Sequence, residues 1–305
     1  MKIGWRLSAD MTRYIFAYDL ESDLCVKAAG KLAEIHRNHN IPATFFILGK
    51  VLESHGDTLR GIFGEDQLFD LQSHTYSHRL LKDNLMHGSG IGLEELKDEI
   101  SLGKRLVEDT FGRECLGVRS GCGFYKGLQG ERERLKVIWE CGVKYISTDL
   151  RGPADSIPSG LQQAYRYDRE GFPELLELPG HGWHDNVLKS SQPRLCLSWP
   201  PVLMWGVPNR PPRNPEEEVE VQRIWIDKAI SLGLDYISLI YHPHSIYRMS
   251  RDCRAMELLI RVVKEKSMPV TTYTELYKFY SSHPDAVPGR EAWDWEDQYE
   301  RDKLI

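Results

Sequence analysis

The chain has 305 residues, 41% of them hydrophobic and 28% charged. That is enough to bury the core of one barrel-sized α/β domain or of two smaller domains, and it excludes a disordered or fibrous chain. A net charge of -6 and a pI near 6.0 leave no basic face for a phosphate backbone or an anionic membrane, so nucleic-acid and membrane partners are not expected and a small-molecule or oligosaccharide substrate fits better.

No stretch reaches the roughly 20 apolar residues of a membrane span, and the opening ten residues lack the apolar run of a secretory signal, so a cytoplasmic protein is expected. The six cysteines, Cys25, Cys115, Cys122, Cys141, Cys196 and Cys253, are scattered without a Cys-x-x-Cys pair. They read as reduced thiols, mostly in the core. Composition leaves a homo-oligomer open.

In chain order, Tyr14 to Tyr18 reads as a strand and Leu24 to Arg37 as a helix. Ala43 to Leu48 is a second strand, and a third, Leu68 to Gln72, leads into His74. Apolar residues at 93, 96, 100, 102, 106 and 107 predict an amphipathic helix over 93–110. Gly117-Val118-Arg119 is expected to end a fourth strand. A helix near Leu135 to Glu140, a strand from Lys144 to Thr148 and an apolar run at Leu175 to Leu178 continue the alternation, and Tyr236 to Tyr241 is a strand ending at His242. Repeated βα units imply a parallel sheet, here an irregular (β/α) barrel of about seven strands filling one domain over 1–283.

Six prolines between Leu188 and Asn214 exclude a helix or a central strand there and predict a long loop. Asn214-Pro215-Glu216-Glu217-Glu218 has the cap, the first-turn proline and the acidic residues of a helix start. The polar stretch 284–305 reads as a tail packed on the barrel or on a neighbour.

Two imidazoles, His74 and His78, stand four residues apart, on one face if the segment is helical and at a separation that suits one divalent ion. The same pair also fits two solvated histidines, so context decides. Asp19 and Glu21 lie on one side of the first strand at its end, Arg119 ends another strand, and His242 ends a fourth. Titratable residues recurring where βα loops begin are what a barrel's catalytic face produces.

These motifs resemble the polysaccharide deacetylase family, the NodB-like carbohydrate esterases, in the right order over about 14–245. That family's first motif reads Thr-Phe-Asp-Asp-Gly. Here Tyr18-Asp19-Leu20-Glu21 keeps the base aspartate and is similar to a branch with Asp-x-Glu, which implies Glu21 as metal ligand, with Asp23 the weaker candidate. His74-Thr75-Tyr76-Ser77-His78 matches the His-Ser/Thr-x-x-His motif, implying that both imidazoles bind the metal. Arg119-Ser120-Gly121 keeps part of Arg-x-Pro, Asp149 resembles the fourth-motif aspartate, and Ile240-Tyr241-His242 resembles Leu-x-His.

The resemblance implies one divalent ion, zinc first, with Asp19 as general base held by Arg119, His242 as general acid, and removal of an acyl group, N-acetyl first, from an amide of a sugar or related small substrate. Asp149, Trp183, His184, Trp199 and Trp205 are expected to contact substrate. Two other readings remain: a cyclic ureide or imide amidohydrolase, with or without metal, or a sugar-precursor deformylase on the same fold; and a non-catalytic carbohydrate-binding protein.

Overall fold

The computed structural model describes residues 11–182 and 212–290. The chain opens with β1 (Arg13–Tyr14) and β2 (Ala17–Leu20), then α1 (Asp23–His39), β3 (Ala43–Ile47), α2 (Gly49–Phe63) and β4 (Phe69–Ser73). After a long connection come α3 (Leu93–Phe111), β5 (Gly117–Phe124), α4 (Arg132–Glu140), β6 (Tyr145–Asp149), β7 (Tyr165–Tyr167) and β8 (Phe172–Glu177). The last part holds α5 (Pro215–Ser231), β9 (Tyr236–Ile237), β10 (Ile240–Tyr241), α6 (Pro243–Met249), α7 (Arg254–Glu265) and α8 (Tyr273–Ser282).

The main sheet runs β10-β2-β3-β4-β5-β6-β8-β7, parallel throughout except for the antiparallel β7–β8 pair. Seven parallel strands with helices between them are the βα architecture the alternation predicts. The strands are buried on both faces, as strands packed between side-chain layers are: every residue of β2, β3 and β6 is buried, Asp19, Thr44, Ser147, Thr148 and Asp149 included. The segment after β8 meets the segment before β10 at one point, an isolated parallel bridge between His181 and Leu239. There His181 N–H donates to Ser238 O at 2.8 Å, and Ser238 N–H donates to His181 Nδ1 at 3.0 Å. A single bridge, rather than a continuous ladder, joins the ring.

Several expected boundaries shift. Arg119 does not end its strand: β5 continues to Phe124 through a register shift between Arg119 and Phe124, with Cys122 and Gly123 at positive φ. Such a bulge bends the strand beside the site. The single strand expected over 236–241 is two short ones, β9 pairing with β1 and β10 with β2. The helix start at 214 is as read, with Asn214 Oδ1 accepting Glu217 N–H at 2.8 Å. Cys25, Cys115 and Cys253 are free and buried, Cys122 and Cys141 free and half-buried. Cys196 lies outside the described residues, as does nearly all of the proline-rich stretch. At the start of the tail, Arg290 pairs with Glu170 and lies over the Tyr165 and Tyr167 rings, so this point packs on the barrel.

Candidate active site

Alternation along β2 sends Asp19 inward, and Glu21 follows on the same side just past its end. Asp19 Oδ1 accepts Arg119 Nη1–H at 2.9 Å, with the two residues 3% and 0% exposed. The guanidinium lies between the Phe46 ring, 4.1 Å to its centroid, and the Tyr273 ring, 4.9 Å. Its Nε donates to Ser147 Oγ at 3.3 Å. Burial pulls the Arg119 pKa down, but the Asp19 carboxylate outweighs it and the net direction is up. A buried ion pair with stacked faces fixes the carboxylate's position.

His74 and His78 do not lie on a helix. The segment after β4 is an irregular loop, with Thr75 at φ 64° and His78 at φ 66°. Short hydrogen-bonded turns shape it: Thr75 N–H donates to Ser73 Oγ at 3.1 Å, and His78 N–H to Thr75 Oγ1 at 3.2 Å. Glu99 of α3, 4% exposed, accepts the Tyr76 and Ser77 N–H groups at 3.2 and 2.8 Å and also the Ser77 hydroxyl. The loop therefore holds both imidazoles by backbone bonding rather than by helical spacing.

Three imidazoles converge on one oxygen. Glu21 Oε1 lies 3.0 Å from His74 Nε2, 2.9 Å from His78 Nε2 and 3.1 Å from His242 Nε2. The ligand atoms of Glu21, His74 and His78 all fall within 4.8 Å of one another. His74 Nδ1 sits 3.1 Å from the Arg119 carbonyl oxygen, which can only accept, so that nitrogen carries the proton. With Nδ1 occupied in this way, Nε2 is the ring nitrogen that faces Glu21, beside the Nε2 atoms of His78 and His242. Nitrogen and oxygen donors so placed suit a divalent ion. Burial pushes the Glu21 carboxyl up, but His242, together with hydrogen bonds from His242, His74 and His78, holds it well below the usual carboxylate range. Burial likewise lowers His78, and Glu21 more than reverses this, so that imidazole is raised.

Other expected residues fall elsewhere. Asp23, the weaker ligand candidate, points away and pairs with His55 Nε2 at 2.9 Å. Asp149, expected to contact substrate, is 0% exposed. Its carboxylate accepts from Gln162 Nε2 at 3.1 Å and from Tyr165 OH at 3.2 Å, and burial and the neighbouring Glu177 push its pKa well up. Trp183, His184, Trp199 and Trp205 lie outside the described residues. Sequence reasoning missed Glu99, whose role depends on a loop shape that spacing does not reveal. It also missed the Cys25 Sγ–His244 Nδ1 contact of 3.3 Å, which places a second imidazole 5.3 Å, centroid to centroid, from His242.

Residues 22–145 match the polysaccharide deacetylase family model, a stretch that contains His74, His78 and Arg119 and begins just after Glu21. No curated protein sequence matches the chain. Among solved structures it is similar to a candidate polysaccharide deacetylase from Mycobacterium smegmatis, 17% identical, covering 92% of this chain and 94% of the other with a TM-score of 0.65. The Puue allantoinase is 15% identical over 92% and 93% of the two chains, with a TM-score of 0.63. A CE4-family pseudoenzyme from Bacillus anthracis is 14% identical, with a TM-score of 0.53, over 88% of this chain and 66% of its own. At these identities the likeness is one of fold, an α/β barrel. The match to the polysaccharide deacetylase family model is confined to residues 22–145, and the likeness in fold to these structures extends over about nine-tenths of the chain.

Proposed function

We propose that the chain hydrolyses the amide of an N-acylated sugar or related small molecule, the N-acetyl group first, with Glu21, His74 and His78 holding one divalent ion, zinc first. The observation that carries this reading is the convergence of His74 Nε2 and His78 Nε2 on Glu21 Oε1, with the His74 ring oriented through Nδ1 by the Arg119 carbonyl. When bound, such an ion supplies Lewis acidity toward an acyl oxygen and toward water.

The chain's own residues supply the proton transfers. Asp19, held through Oδ1 by Arg119, takes a proton from the attacking water as its oxygen forms the bond to the acyl carbon. His242, whose Nε2 lies 3.1 Å from the Glu21 oxygen, gives a proton to the nitrogen as the C–N bond breaks. The products are a carboxylic acid and an amine. Each such transfer is worth about 10² to 10⁴ in rate. Turnover of Asp19→Asn is therefore expected to fall by about that factor on an N-acetyl substrate that the wild type cleaves, with the metal content unchanged. Wild-type turnover in that variant would remove Asp19 from the role.

A second reading draws on the Puue allantoinase, similar over nearly the full length of both chains. A cyclic ureide presents the same amide carbon to the same base and acid. Ring opening that persists in a chelator, with no cleavage of N-acetyl sugars, would favour it.

A further inference from the structure

Arg151 follows β6 by two positions, at the same strand ends as Glu21, His74 and His242. It is 5% exposed, yet it forms no ion pair with any described carboxylate. Its Nε donates to the Cys122 carbonyl. Nη2 makes a long 3.4 Å contact with His87 Nε2, and the buried Nη1 has no hydrogen-bond partner. Arg119, also buried, has the Asp19 carboxylate and two ring faces. A buried guanidinium without a counter-charge is costly unless something that binds there supplies one.

The surroundings join this cation to the site. Gly121 packs against the His78 ring, so closely that a Cβ there would lie 2.8 Å from it. The next residue, Cys122, carries the carbonyl that holds Arg151. Asp155 is the carboxylate whose field reaches Arg151, and its two oxygens accept backbone N–H groups, from Tyr125 and Leu85, each at 2.8 Å, rather than a guanidinium N–H.

We propose that Arg151, with the exposed His87 beside it, is a subsite for a carboxylate that the substrate carries near the amide to be hydrolysed. The inference rests on the hydrolase reading above for which bond is cleaved, but the binding it describes does not depend on turnover. One fixed positive charge matches a monoanion. His87 accepts from Arg151 through Nε2, so in the neutral ring Nδ1 carries the proton and offers one further donor. A planar carboxylate has two oxygens to share between Nη1 and such a donor, whereas a phosphate dianion would keep a charge unpaired.

The test is calorimetric binding of N-acetylglycine, N-acetylglycinamide and inorganic phosphate to the wild type, Arg151→Gln and Arg151→Lys, with thermal unfolding of each variant. The wild type is expected to bind N-acetylglycine at least about tenfold more tightly than the amide. Arg151→Gln should lose that preference, and Arg151→Lys, which keeps the charge and guards against a folding defect in the first variant, should retain part of it. Equal binding of acid and amide by the wild type, no binding of the acid, or a preference that survives in Arg151→Gln would overturn the proposal. So would Arg151-dependent binding of phosphate tighter than that of the acid. Loss of hydrolysis with the binding preference intact would instead count against the hydrolase reading alone.

Discussion

At the scale of single residues, Arg119 acts twice: its side chain fixes Asp19, and its backbone carbonyl sets the His74 tautomer. Removing the side chain strands a carboxylate that is 3% exposed. Arg119→Met is therefore expected to cost about 3 to 5 kcal/mol in chemical denaturation, with part of the loss recovered in the Asp19→Asn, Arg119→Met double variant. Additive losses would mean that the pair is not coupled. The convergence of Glu21, His74, His78 and His242 and the pairing of Asp19 with Arg119 were legible as a cluster because strand-end polar residues recur in a barrel and the motif order resembles the family's. Asp149 turns toward Gln162 and Tyr165, a direction that its strand-end position does not reveal. Arg151 was invisible, since its interest lies in a counter-charge that the fold does not provide.

Among the elements, α3 does more than cover the sheet. Its Glu99 ties down the His74–His78 loop, and its Gly103 lets the helix approach so closely that a Cβ would fall 2.6 Å from the Thr75 carbonyl carbon. Backbone cannot retreat there cheaply, so Gly103→Val should shift the loop and weaken zinc affinity by at least about tenfold, read by competition with a chromophoric chelator. Unchanged affinity would show that the loop holds its shape without this contact. The amphipathic pattern of α3 was readable from its periodicity. By contrast α2 is as amphipathic as α3, but Gly49, Gly56 and Gly61 and the non-helical His55 within it weaken its local helix signal. The loop was expected as a possible helix because four-residue spacing suits one; left-handed backbone at Thr75 and His78 brings the rings together instead.

For the whole molecule, the parallel βα order followed from the alternation of elements. The way the ring of strands is joined did not, because it rests on one bridge and on the buried His181. His181 Nε2–H donates to Gln162 O and Nδ1 accepts Ser238 N–H, so the ring must be neutral. His36 is buried in the same way, donating from Nδ1 to Ile41 O and accepting from Tyr18 OH. Burial lowers each to about 4. The unfolded chain then binds more protons between about pH 6.5 and 4, so stability falls as pH drops through that window. From pH 7.5 to 5 each histidine should cost about 2 kcal/mol, measured by urea unfolding. A flat profile there would contradict the neutral assignment.

The most direct test of the account is elemental analysis of the purified wild type beside His74→Ala and Glu21→Ala, each checked for folding. The expected result is one divalent ion per wild-type chain, lost from both variants together with amide hydrolysis. A folded, metal-free wild type that hydrolyses its substrate at full rate in a chelator would contradict it.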